Sequence, residues 1–392
     1  MRQKYSFSAP GRAEIGGNHT DHQHGCVLAA AVNLETVAEV AYNHSDFIRV
    51  RSEGYSPVEV NLNDLSVHDG EKNTSAALIR GVAAAFAQKG AKLQGFDASV
   101  HSTVLPGSGL SSSAAFEVLM GTICNTLFLG GKLSPVEIAQ IGQYAENVYF
   151  GKPCGLMDQT ASSVGGMVYI DFENSAEPVV EKLDFDFENP AKPIVEKLDF
   201  DFEKAGYALC IIDSGAGHAD LTGEYAAIPV ELREVCRFFG KEVLREIPEG
   251  DFFAALPELR HRVPDRAILR AVHFYQENKR VQLQAQALRN GDIETFLRLV
   301  SESGRSSWMY LQNITPAGAI QHQDMAVSLA LCDTLLHGWG AYRVHGGGFA
   351  GTVQAFVPMD MLDAFKSGIE RVLGAGKCHV LSIRPQGGIQ VK

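Results

Sequence analysis

The sequence has no apolar run that reads as long enough to span a bilayer. Its first residues, Met1-Arg2-Gln3-Lys4-Tyr5-Ser6, lack the apolar core of a signal peptide. Positive charge is in deficit: the net charge is −12, which disfavours a nucleic-acid partner because nothing would release counterions from a phosphate backbone. The seven cysteines are odd in number and irregular in spacing, which argues against a disulfide framework and fits a reducing cytosol. These absences leave a soluble cytoplasmic protein as the expectation. At 392 residues it can bury a large core and has length for two lobes.

Two familiar phosphate loops are also missing. No Gly-Lys-Ser/Thr closes a Walker A loop. Gly107-Ser108-Gly109 runs into serines rather than a third spaced glycine, so it is not a dinucleotide fingerprint. What is there instead is Pro106-Gly107-Ser108-Gly109-Leu110-Ser111-Ser112-Ser113-Ala114-Ala115, followed by helix-like sequence from Ala115 to Leu127. Small residues let a backbone approach a ligand, and a helix start offers free N–H groups and partial positive charge. A polyphosphate suits such a loop, although an isolated glycine-serine turn is more often only a turn.

Three further segments raise its weight. Ala9-Pro10-Gly11-Arg12 through Asn18-His19-Thr20-Asp21-His22-Gln23-His24-Gly25 resembles the N-terminal signature of the galactokinase family. Gly107 to Ala115 resembles the nucleotide loop of the wider GHMP small-molecule kinases. Ala145-Glu146-Asn147 with Gly151-Lys152-Pro153-Cys154-Gly155-Leu156-Met157-Asp158-Gln159 is similar to the family's catalytic-aspartate segment. His345-Gly346-Gly347-Gly348-Phe349-Ala350-Gly351 resembles its C-terminal glycine motif. The order matches and the resemblance spans nearly the whole chain.

The resemblance implies an α+β, two-lobe GHMP architecture with the site between lobes, residues 1–204 forming the first lobe and 205–392 the second. It implies ATP-dependent transfer of the γ-phosphoryl group to the anomeric hydroxyl of galactose. It assigns Arg12 and Asp158 to catalysis, and Asn18, His19, Asp21, Gly155, Asp158 and Tyr225 to the sugar. Gly107, Ser108, Gly109, Leu110, Ser111, Ser112 and Ser113 go to the nucleotide, and Ser113 and Glu146 to Mg²⁺. Mg²⁺ takes hard oxygen ligands, so a hydroxyl and a carboxylate are apt. Alone, Ser113 reads equally as a helix cap and Glu146 as a solvated helix face. Asp158 is either a general base or a group that orients the acceptor hydroxyl.

Two departures stand out. The family usually carries glutamate where this chain has Asn18, and its tryptophan near the adenine pocket is replaced by Thr74-Ser75-Ala76-Ala77-Leu78. Other readings are a kinase for N-acetylgalactosamine or a galactose-related acid, a non-catalytic sugar and nucleotide sensor, or a transition-metal site built from His19, Asp21, His22 and His24.

Elsewhere, strand and helix patterns alternate. Cys26–Ala41 and Asp97–Leu105 read as strands, and so do Tyr207–Asp213, Ala341–Val344 and Thr352–Val357. Ser75–Gln88, Ser134–Tyr149, Arg266–Ala287 and Ile293–Ser303 read as helices, with Ser134-Pro135-Val136-Glu137 a strong start signal. Residues 186–200 repeat 171–185 almost residue for residue. Two copies are too few for a solenoid, so the repeat is expected to form a surface hairpin at an exposed edge.

Overall fold

The computed structural model describes residues 3–104, 109–152, 154–173, 193–216 and 221–392. Among these residues the strands are β1 (Tyr5–Gly16), β2 (Cys26–Tyr42), β3 (Phe47–Ser52), β4 (Val58–Asn61), β5 (Phe96–Ser102) and β6 (Met167–Asp171). They continue as β7 (Ile194–Leu198), β8 (Tyr207–Asp213), β9 (Ala341–His345), β10 (Thr352–Pro358), β11 (Cys378–Leu381) and β12 (Ile389–Gln390). The helices begin with α1 (Ser75–Gln88), α2 (Ser112–Leu129), α3 (Pro135–Tyr144), α4 (Met157–Val164) and α5 (Thr222–Phe238). They go on through α6 (Glu249–Ala254), α7 (Leu256–Leu259), α8 (Asp265–Arg289), α9 (Ile293–Ser306), α10 (Asp324–Leu336) and α11 (Leu362–Leu373).

One sheet runs β12-β1-β2-β5-β3-β4, with β6 and then β7 added beside the first half of β2. The other is antiparallel, in the order β11-β8-β10-β9. The fold is thus α+β with two lobes. The division is not one cut in the chain, because β12 crosses back to pair with β1, Phe7 opposite Gln390.

The long β2 shows how sequence pattern follows burial. From Cys26 to Val32 every residue is buried, because α4 packs on that half and α8 also lies against the strand. A strand covered on both faces reads as a continuous apolar run. After Asn33 the strand alternates, which is the signature of one covered face. α1, α2 and α3 pack together over the apolar face that includes Ala38, Val40 and Val100. A second core around Leu28, Val281, Phe296 and Phe356 joins the large sheet to α8, α9 and the small sheet.

α2 has the length and apolar composition of a membrane-crossing helix. It is a core helix: most of it is buried, and it packs on β1, β2, α1, α3 and α4. The predicted helix Ser134–Tyr149 divides. Its start has the expected capping box, with Ser134 accepting from the Glu137 N–H and Glu137 reaching back. After Tyr144 the backbone widens into a π turn, Ala145–Phe150, which carries Glu146 into the interior.

The repeat lies mostly outside the described residues. The tail of its second copy forms β7, which among the described residues pairs only with β6. This part is more integral than a surface hairpin, since Leu198 and the following Phe202 are buried in the second core.

Candidate active site

β1 carries Arg12 into the seam between lobes through two irregularities in its pairing, at Pro10/Arg12 and Glu14/Gly16. Gly11 makes the first possible: a Cβ there would lie 2.9 Å from the Leu110 carbonyl oxygen. That carbonyl accepts the Arg12 N–H at 3.1 Å, pinning the serine loop to β1. Leu110 itself is fully buried, backbone included, so it packs the loop down and offers a nucleotide no exposed surface. Gly107 and Ser108 lie outside the described residues. Gly109 and Ser111 both take left-handed backbone, φ +70° and +53°, a conformation that costs a non-glycine residue energy. Its effect is to aim the Ser111 hydroxyl at Asp158, to which it donates. Ser112 and Ser113 open the first turn of α2.

Asp158 stands in the first turn of α4, where the helix dipole favours negative charge. Arg12 grips it with a fork: Nε donates to Oδ1 at 2.8 Å, and a terminal nitrogen lies 2.8 Å from Oδ2. Another Arg12 nitrogen donates to the Gly109 carbonyl. Burial opposes the charge on Asp158, but Arg12 and the Ser111 hydroxyl outweigh it and hold the carboxyl below the usual carboxylate range.

Across the α2 start from this pair lies Glu146, almost wholly buried. Its Oε1 is 3.5 Å from Ser113 Oγ and 3.1 Å from Lys152 Nζ, and its Oε2 accepts from Gln159 Nε2 at 2.9 Å. Gln159 also donates to the buried Glu117 at 3.0 Å. Burial and the nearby Glu146 push the Glu117 carboxyl well above the usual range. A hydroxyl and a carboxylate with oxygen donors only fit a hard divalent cation.

The sugar-side residues fall into two groups. Asp21 touches Gly155, where a Cβ would collide with Asp21 Oδ2. Burial first, then the charges of Glu14 and Asp158, push the Asp21 carboxyl up to about 6. The second group holds the C-terminal glycine loop by successive carbonyls. Asn18 Nδ2 donates to Gly346 O at 2.6 Å, His19 Nε2 meets Gly347 O at 3.0 Å, and the Tyr225 hydroxyl donates to Gly348 O at 2.8 Å. His19 and His22 are both pushed down, chiefly by burial, His22 to about 3. Neutral His19 must then carry its proton on Nε2, facing the carbonyl.

Asn18 is not on the cleft wall. It is 0% exposed, and its amide is engaged by protein on every side, so the expected direct sugar contact has no group left to make it. Lys152, Gln159 and Glu117 are neighbours the residue roles omitted. Lys152 and Gln159 stand inside quoted motifs, whereas Glu117 gave no local signal beyond a carboxylate in an apolar helix.

Two family models match: the GHMP kinases N-terminal domain over residues 77–166 and the galactokinase galactose-binding signature over residues 2–42. The galactokinase of Streptomyces coelicolor is 30% identical over 374 residues, covering 94% of this chain and 88% of that protein. The chain belongs to the galactokinase family. The galactokinase of Glaesserella parasuis is 31% identical over 373 residues, covering 91% of this chain and 86% of that protein. In fold, this galactokinase-family chain resembles Lactococcus lactis galactokinase, solved with galactose, with a TM-score of 0.81 at 22% identity over 99% and 95% of the two chains. It also resembles a mevalonate kinase, with a TM-score of 0.65 at 14% identity over 97% and 99%. Membership makes the chain an ATP-using phosphotransferase that needs a divalent metal.

Proposed function

We propose that the protein is a cytoplasmic, Mg·ATP-dependent galactokinase that phosphorylates the C1 hydroxyl of galactose. The observation that carries this reading is the Arg12–Asp158 fork, set where the sugar signature of β1 meets the serine loop at the start of α2. In the reaction the hydroxyl oxygen bonds to the γ-phosphorus as the bridge to the β-phosphate breaks. ADP leaves, and the hydroxyl proton passes to Asp158 or to water.

A carboxylate held below its usual range is a weak base. The transition state of phosphoryl transfer is loose and needs little proton abstraction. The work of Asp158 is therefore to orient the hydroxyl, while Arg12 neutralises charge on the transferred group. Ser113 and Glu146 would hold Mg²⁺, which supplies charge neutralisation between the phosphates. The amides of Gly107 to Ser112 would cradle the phosphates. His19, Asp21, Gly155 and Tyr225 would face the sugar. The seven free thiols fit a reducing compartment.

The test is ADP release against a panel of sugars, with the product's phosphate located by NMR. Galactose is expected to lead the panel and to give galactose 1-phosphate. Faster turnover of N-acetylgalactosamine or a sugar acid would move the substrate; no turnover with any sugar would return the sensor reading.

A further inference from the structure

Glu14 stands two residues from Arg12 on β1, and the second lobe holds each of its polar groups. Its N–H donates to His345 Nε2 and its carbonyl accepts from Gln354 Nε2, both at 3.0 Å. Its carboxylate accepts from Arg343, which is 0% exposed, and from Asn18 Nδ2 at 3.2 Å.

Asn18 completes the arrangement. One amide hydrogen points to the Glu14 carboxylate and the other to the Gly346 carbonyl. Its Oδ1 accepts from Asn313 Nδ2 at 2.8 Å. Only an amide satisfies these neighbours, since two acceptors face its nitrogen and a donor faces its oxygen. A glutamate at position 18 would set a second carboxylate against Glu14 in a closed site.

We propose that Glu14 and Asn18 form one positioning unit that fixes the sugar loop against the Gly346–Gly348 loop and thereby sets Arg12. In this chain the carboxylate usual at position 18 is exchanged for one at position 14, where Arg343 neutralises it. Neither side chain touches the sugar. The catalytic consequence rests on the sugar-kinase reading; the structural coupling does not.

The experiment compares wild type with Asn18→Glu, Glu14→Gln and the double variant, by thermal melting and by galactose kinetics. Asn18→Glu is expected to lower the melting temperature and to cut kcat by about 100-fold. Galactose KM should stay within about threefold, because no sugar contact is lost. Glu14→Gln should cost about tenfold in kcat, leaving Arg343, among the described residues, only Glu277, 3.6 Å away, as a charge partner. In the double variant one carboxylate again faces one amide, while the Gly346 carbonyl still lacks its donor. Its kcat should exceed that of Asn18→Glu by at least about tenfold, with part of the melting temperature restored.

A double variant no better than Asn18→Glu in both readouts would overturn the proposal. So would an Asn18→Glu protein that melts like wild type and reorders a panel of galactose analogues, since Asn18 would then read the sugar. If Asn18→Glu does not fold, a folded double variant supports the unit and an unfolded one refutes it. If wild type does not turn over galactose, the sugar-kinase reading fails while the melting cycle still decides this one.

Discussion

Asp158 is held by donors from two segments before any substrate arrives. Asp158→Asn replaces an acceptor with an amide that cannot take the Arg12 fork on both sides. It is expected to lower kcat by about 100-fold or more while galactose binding, followed calorimetrically, stays measurable. Asp21 gives a different signature. Its carboxyl is pushed up to about 6, so sugar affinity should fall as pH drops through that value if the charged form accepts sugar hydroxyls. The stability sign is opposite. Between the unfolded value and about 6 the folded state binds more proton, so ionising Asp21 costs stability as pH rises. Asp21→Asn should therefore melt higher than wild type at pH 8 but not at pH 4, and its galactose KM should be weaker and flat across pH 6. At the metal site, Ser113→Ala and Glu146→Gln should each raise the Mg²⁺ needed for half-maximal rate, without changing sugar binding in the absence of nucleotide. An unaltered Mg²⁺ titration would leave both residues as ordinary buried polar groups.

At the scale of elements, the repeat makes a clean test. Removing residues 186–200 brings Val179-Val180-Glu181-Lys182-Leu183 into the place of β7, and residues 181–185 are identical to 196–200. Glu181 can then take over the pairing of Glu196 with Arg289, now at 2.8–3.0 Å. Leu183 replaces the buried Leu198, and loop shortening alone changes closure by only about 0.6 kcal/mol per twofold step in length. Melting temperature and galactose saturation are expected to remain near wild type, and a collapse of either would mean that the two copies are not interchangeable. The sequence made such elements legible where local chemistry decides them. The Ser134 capping box and the short strand Tyr207–Asp213, with its buried apolar interior, depend on residues close in the chain. It was silent where partners are remote. The amide of Asn18 is satisfied by Asn313 and Gly346, which no window around position 18 contains. β1 went unread because Pro10 and Gly11 interrupt its alternation, and the π turn because nothing between Ala145 and Phe150 breaks helical spacing.

For the whole molecule, an ionic network sits at the seam between lobes, where Glu14 of β1 pairs with Arg343 and Arg343 lies 3.6 Å from Glu277. Burial opposes the charge on Glu277, but Arg280, His273 and Arg343 hold its carboxyl down at about 2. The last strand binds the two ends of the sequence: the Ser6 N–H donates to Lys392 O at 3.0 Å, and the Val391 N–H to Ser6 O at 2.7 Å. Gly387 packs so tightly on Ser163 that a Cβ would overlap its carbonyl. Removing residues 386–392 is expected to cost about 2 kcal/mol or more, from lost backbone pairing and packing, read as a lower midpoint in urea. An unshifted midpoint would show that β12 is dispensable.

That pairing also gives the fold a sequence in time. β1 leaves the ribosome before the other strands of either sheet, whereas β12 leaves only after them. Until then the outer edge of β1 is an uncapped row of N–H and C=O groups, the template on which chains aggregate. A protein released early would keep that edge, so truncation would be felt as insolubility before it was felt as lost catalysis.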